Sequence, residues 1–296
     1  MVLTNTLLEQ LETDGIAVIP GFLQGETLAA MQRAFDARLH RLRWNNFDGY
    51  ERTERFRHMV QDVLTLDQGF VTAAIDPAVM ETLRAYIGPG FQLVEAKGWK
   101  SLPVRRMFHG WHGDSWYDKA KVKEIPREVK LGFYLTNVRT GAFRYIKGTH
   151  RQHVPRDWRN HEIEAFDPAG IVEVSGAAGT GFLFDTTGVH GQSSPILEPR
   201  EAVFYNYHDP AVPLDPENIE HYRYHPLLLN AALLGNLTPE DQAVLGFGDK
   251  RNFIAAYERE PGHEMFQAMN MRLFGFKVVS EEFSSRVRAR LKRLMK

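Results

Sequence analysis

Apolar and polar positions follow two periods along this chain, and the change between them divides it. In "TNTLLEQLETDG", Leu7, Leu8 and Leu11 fall on one side of a helical projection, and Asp14-Gly15 closes the segment. "IAVI" then predicts a short strand and Pro20-Gly21 a turn. From Gly25 to about Arg43, Leu28, Met31, Phe35 and Leu39 return at helical spacing. Mostly helical character continues to Ile87, around the charged, aromatic insert "RWNNFDGYERTERF". From Phe91 the period falls to two. "FQLVEAKGWKSL", "VRRMFHGWH", "EVKLGFYLTNV", "AFRYI", "GIVEV", "GFLFDT" and "EAVFYNYH" all read as strands. In the third of these, Val129, Leu131, Phe133 and Leu135 alternate with Lys130, Gly132, Tyr134 and Thr136, the pattern of a half-buried antiparallel strand. After Pro210 the chain turns helical again, through "PLLLNAALLGNLTPEDQAVLGFG" to a basic end.

Short strands joined by Gly and Pro turns predict a mainly β fold with flanking helices: a double-stranded β-helix, the jelly roll or cupin-like barrel. The β core spans about 91–208, a helical N-terminal region 1–90 and a helical C-terminal extension 211–296, within one domain, 1–296. No internal repeat, low-complexity tract or linker interrupts it. Hydrophobic residues make up 43% of the chain, enough for a substantial core. The 36 basic and 37 acidic residues nearly cancel, which argues against a nucleic-acid or membrane-surface partner for the protein as a whole. With no cysteine, disulfides, thiolate metal sites and cysteine nucleophiles are excluded, so any metal must be held by His, Asp or Glu. The start lacks the pattern of a signal peptide, and no apolar run approaches the roughly 20 residues of a membrane span. A cytoplasmic protein is expected. In the tail, Phe283, Val287, Leu291 and Leu294 form one stripe behind a capping Ser280, with six basic residues against two glutamates. A docked terminal helix with a solvated basic face is the plain reading; the stripe would also suit an oligomer.

The chemistry-bearing residues cluster at "FHGWHGD". In a strand, His112 and Asp114 point to one face, while His109, three residues from His112, points to the other and is the weaker ligand candidate. Downstream, "GTGFLFDTTGVHGQSSPILEPREAVFYNY" carries a glycine turn, a strand and then His190. Arg200 follows after a loop-like stretch, at the start of the next strand, which would place it near His190 on a neighbouring strand. Two histidines and a carboxylate on one barrel face form a triad with open positions, pointing to non-haem Fe(II). Fe(II) with Asp114 carries a net +1, a dicarboxylic oxo-acid takes it to −1, and the Arg200 fork would neutralise that charge. Trp111, Trp116 and Tyr117 flank the metal strand and would line a substrate pocket or pack in the core. Thr186 and Thr187 precede His190 and would orient a ligand or serve structure alone. His150 reads as structural, His153 and His161 lack partners at ligand spacing, and His221 and His225, four apart, read as exposed. Gly176, Gly179 and Gly181 read as a β-turn, since their spacing does not match a phosphate cradle.

These pieces, in this order, resemble the phytanoyl-CoA dioxygenase-like group of Fe(II)/2-oxoglutarate oxygenases. "DGIAVIPGFL", "HGD", "GAFRYIKGTHRQ" and "GTGFLFDTTGVHGQSS…PR" carry the resemblance, which runs from about Asp14 to Tyr207. It implies His112, Asp114 and His190 as iron ligands, Arg200 on the distal carboxylate of 2-oxoglutarate, and Lys100 in "WKSLP" as a further cosubstrate contact. Asp114 sets the chain apart from halogenating relatives, which carry a small residue there. The implied reaction consumes O2 and 2-oxoglutarate, releases succinate and CO2, and oxidises, most simply hydroxylates, a small organic substrate such as a specialised metabolite. The rivals are a non-redox metal-dependent barrel enzyme, a non-catalytic binding protein on the same fold and a protein hydroxylase.

Overall fold

Gly15, at φ +78°, ends the first helix, α1 (Val2–Asp14), and turns the chain directly into β1 (Ile16–Ile19). A Cβ there would lie 2.4 Å from both His150 Nδ1 and the Tyr145 hydroxyl, so glycine is required by space as well as by backbone. The structure, a computed structural model, describes residues 2–40, 57–105, 110–152, 157–215, 227–235 and 237–247. These lie within one unit, Met1–Asn252. The aromatic insert, His109, His153, His221, His225 and the tail helix predicted behind Ser280 lie outside the described residues.

After α2 (Gly25–Leu39) and β2 (Arg57–Val60) come α3 (Gln68–Ala74) and α4 (Pro77–Tyr86). Asp67 and Asp76 cap the last two, the Asp76 carboxylate accepting from the Ala78 and Val79 amides behind Pro77. The strands that follow are β3 (Gln92–Ser101), β4 (Trp111–His112), β5 (Glu128–Tyr134), β6 (Val138–Ile146), β7 (Asp157–Trp158), β8 (Ile171–Gly176), β9 (Gly181–Asp185), β10 (His190–Gln192) and β11 (Arg200–His208). They form two antiparallel sheets, β1-β9-β5-β11-β3-β2 and β7-β4-β10-β6-β8. This is the mainly β, helix-flanked architecture the periodicity predicts. Three elements depart from expectation. β2 lies where helix was expected. β4 is reduced to Trp111–His112 among the described residues. Beyond Pro210 the described segments are largely irregular, with a 3-10 turn at Ala231–Leu233 and one short helix at Pro239–Val244.

The larger sheet is buried on both faces. Val129, Leu131, Phe133, Val203 and Tyr205 face outward, packed with Leu11, Phe35, Phe70 and Leu83 of the four helices. On the inner face, Tyr134, Phe182 and Phe184 meet Phe143 and Tyr145 of the smaller sheet; Phe143 lies 4.9 Å from Phe182 and 4.4 Å from Phe184, centroid to centroid. The alternation in β5 is therefore not a buried face against a solvated one. Its polar positions point into the space between the sheets. A register shift in the β3–β11 pair, where Asn206 opposes Glu95 but Tyr207 opposes Leu93, is a bulge. It lets Leu93 join the helical core while Glu95, Lys97 and Trp99 line the interior.

The outer core is tight at Gly98, where a Cβ would lie 2.3 Å from the Phe35 ring of α2. Gly98→Ala should destabilise the protein by about 1–3 kcal/mol through overpacking. A fall in the urea midpoint at unchanged slope would register it.

Candidate functional site

The two histidines are cross-strand partners. β4 and β10 pair antiparallel with His112 opposite His190, and the rings stand 4.3 Å apart. Asp114 lies just beyond β4, its amide donating to Thr186 O at 2.8 Å, so the chain stays extended and the carboxylate faces the same way as His112. Ligand atoms of His112, Asp114 and His190 all lie within 4.8 Å of one another. Each imidazole is held in the same manner. Nδ1 of His112 donates to Gly110 O and Nδ1 of His190 to Gly188 O, both at 2.9 Å. A carbonyl can only accept, so the proton is fixed on Nδ1 and the Nε2 lone pair is left for a metal. Asp114 Oδ1 lies 3.6 Å from His112 Nε2 and 3.8 Å from His190 Nε2. Two imidazole nitrogens and one carboxylate oxygen suit a divalent ion such as Fe(II).

Charge at this point is set by Lys130 of β5, whose ammonium donates to Asp114 Oδ2 at 2.5 Å. Burial alone would raise the Asp114 pKa; Lys130 and the two histidines outweigh it and hold the carboxyl well below the usual range. Burial pulls Lys130 down, but Asp114, Glu128 and Glu95 keep it above the ordinary lysine value. His190, packed against Phe143 and Phe184, is pulled down to about 3 by burial and by His112. The metal-free protein should therefore lose stability as pH falls from about 6.5 towards 3, by roughly 1.4 kcal/mol per pH unit, because the unfolded state takes the proton first. Asp114 adds to this only below its ordinary value of 3.8, so the upper part of the window belongs to His190 together with His150, whose imidazole burial also pulls down. Urea midpoints measured against pH should show the slope, and His190→Gln should reduce it, leaving the part due to His150.

Arg200 begins β11 on the larger sheet, whereas His190 begins β10 on the smaller one; the expected neighbouring-strand relation gives way to one across the interior. The two still share a cavity, because Gln192, two residues beyond His190, accepts from Arg200 Nη2 at 2.9 Å. Nη1 donates to Gly141 O, and Nε is buried without a partner. Arg200 is 7% exposed, and no carboxylate among the described residues pairs with it. A buried guanidinium held only by neutral acceptors is an uncompensated cation, and an anion in the cavity would complete it.

The cavity has a volume of about 360 Å³. Phe143, Phe184 and Phe204 line it near the ligand set, with Arg57, Lys97, Glu128 and Asn206 among its polar residues. Of the three predicted aromatic contacts, Trp116 lines it, stacked on His208 at 4.0 Å. Trp111 and Tyr117 do not. Trp111 packs with Ile146, Ile163 and Val189 under Arg144, and Tyr117 meets the Trp116 edge. Lys100 is not brought to the cavity either. It sits on the face of β3 opposite Lys97 and Trp99 and pairs with Glu201 at 2.8 Å. Thr186 donates to Glu128 at 2.9 Å and Thr187 to Asp185 at 2.6 Å, so both hydroxyls serve the frame. Sequence reasoning missed Lys130, Gln192, Glu128 and Lys97. For the three charged residues the available signal was charge at alternate positions in strands otherwise apolar on both sides; Gln192, in the three-residue β10, carried no such signal.

No helix among the described residues is long and apolar enough to cross a membrane. No curated protein sequence matches the chain. Solved structures of similar fold include HygX from Streptomyces hygroscopicus with nickel, 2-oxoglutarate and hygromycin B bound, at 17% identity over 68% of this chain and 86% of that one, TM-score 0.50. The epimerase SnoN in complex with Fe3+, alpha ketoglutarate and nogalamycin RO is 17% identical over 76% of this chain and 91% of that one, TM-score 0.56. EctD from S. alaskensis with 2-oxoglutarate and 5-hydroxyectoine is 18% identical over 70% and 77%, TM-score 0.56. At such identities the likeness is one of fold. The profile of the phytanoyl-CoA dioxygenase (PhyH) family matches residues 11–195, more than half of the 296, and the chain belongs to that family of Fe(II)/2-oxoglutarate-dependent oxygenases.

Proposed function

We propose that this protein is a 2-oxoglutarate-dependent dioxygenase that hydroxylates a small polar organic molecule at an iron held by His112, Asp114 and His190. The observation that carries this reading is the convergence in one cavity of that ligand set and the uncompensated cation of Arg200. A bound iron and 2-oxoglutarate pair supplies oxygen activation, with the keto acid leaving as succinate and CO2. The chain's own residues set the stage. Gly110 and Gly188 aim the two Nε2 atoms, Arg200 receives the distal carboxylate, and Phe143, Phe184 and Phe204 keep water from the reacting centre. Trp116, Glu128 and Asn206 then lie in the part of the lining left for substrate. So polar a wall suits a hydrogen-bonding small molecule better than a long apolar chain. Hygromycin B and 5-hydroxyectoine are named in the structures of HygX and EctD.

Anaerobic addition of Fe(II) and 2-oxoglutarate should produce a visible charge-transfer band, and oxygen should then release succinate. Absence of the band from folded, iron-loaded protein would remove the reading. Because SnoN is an epimerase, the product must be weighed as well. A gain of one oxygen atom by mass spectrometry supports hydroxylation, and an isomer of unchanged mass supports inversion at carbon.

A further inference from the structure

Only one oxygen of Asp114 faces the histidines. Oδ1 is 3.6 and 3.8 Å from their Nε2 atoms, whereas Oδ2 is held by Lys130 Nζ at 2.5 Å. We propose that Lys130 is a positioning residue that confines Asp114 to metal ligation through a single oxygen, keeping coordination positions open for the keto acid and oxygen, a role that presupposes the metal site proposed above. The backbone of Asp114 is already fixed by the hydrogen bond its amide N–H donates to Thr186 O, so the freedom that remains is rotation of the side chain. A carboxylate free to rotate can turn both oxygens to a cation and occupy a position the reaction needs.

Lys130 opposes that turn from a rigid base. It sits mid-strand in β5, opposite Asn206 of β11 on one side and Phe184 of β9 on the other. Other acidic groups lining the cavity have partners of their own. Glu128 takes the Thr186 hydroxyl and lies 2.9 Å from His208 Nδ1, and Glu95 pairs with Lys97. An inward ammonium on a strand buried on both faces is expensive to desolvate, and an apolar side chain of similar length would pack there without that cost. The interaction that accounts for a lysine here is the short, charge-assisted bond to the ligand carboxylate.

Lys130→Met, Lys130→Gln and Lys130→Arg, each loaded with Co(II), test this, with far-ultraviolet dichroism and the melting temperature of the metal-free forms as fold controls. The Met variant should still take up Co(II), but its visible Co(II) spectrum should change in intensity and position before any keto acid is added. Its affinity for 2-oxoglutarate should then fall about tenfold or more. Lys130→Arg should recover part of both properties, and Lys130→Gln should read the same way as Met if the Met variant does not fold. A Met or Gln variant with an unaltered Co(II) spectrum and unaltered keto-acid affinity overturns the proposal while leaving the metal site standing. Wild-type protein that binds no Co(II) overturns both.

Discussion

His190→Gln should abolish the charge-transfer band and reduce oxygen-dependent succinate release by on the order of a thousandfold, about 4 kcal/mol in the barrier. His190 Nε2 is one of only two imidazole donors in the cluster, held by the bond to Gly188 O and by the rings of Phe143, Phe184 and Tyr145. Glutamine fills much of the same space, but its amide lacks the basic nitrogen of imidazole and is a poor ligand for Fe(II). Stability near neutral pH should change by about 1 kcal/mol. Loss of turnover without loss of fold is therefore expected. Iron binding by equilibrium dialysis, alongside succinate release, separates the two. A variant that keeps the band would mean that this histidine is not a ligand, and the proposed centre would fail with it.

The second large effect is expected at Arg200. Arg200→Met should raise the KM for 2-oxoglutarate about a hundredfold or more, corresponding to roughly 3 kcal/mol for a buried charge pair, while metal uptake persists. Arg200→Lys should rescue little. The guanidinium is aimed by two separate contacts, Gly141 O and Gln192 Oε1, and a single ammonium cannot reproduce that fork. Titration of 2-oxoglutarate into the metal-loaded variants, followed by the same visible band, measures the accompanying loss of affinity. Unchanged keto-acid affinity in Arg200→Met would leave the buried cation without its proposed anion.

Much of this arrangement was legible in the sequence. The change of period at Phe91 marks where the helical layer gives way to the sheets, and His112, Asp114, His190 and Arg200 stand out because loop-flanked polar heads interrupt apolar strands. Lys130 did not stand out, for a physical reason. Alternation in β5 tells which residues share a face, but not whether the second face meets water or another sheet. The fate of Lys100 was hidden in the same way. One step along β3 moves a side chain to the other face, so Lys97 lines the cavity and Lys100 pairs outside it. Trp111 sits in β4 with its ring in a small apolar cluster, whereas Trp116 lies beyond that strand and stacks on His208, a difference that composition does not encode.

β1 is the partner of β9, with Ile16 opposite Phe184 and Ile19 opposite Gly181. During synthesis, β1 must wait, unpaired at its edge, until most of the two sheets have been made. The strand it waits for leads straight into the segment bearing His190. Pairing of β1 and completion of the proposed ion-binding centre therefore fall late and close together, with only β11 among the described strands still to be added between β5 and β3.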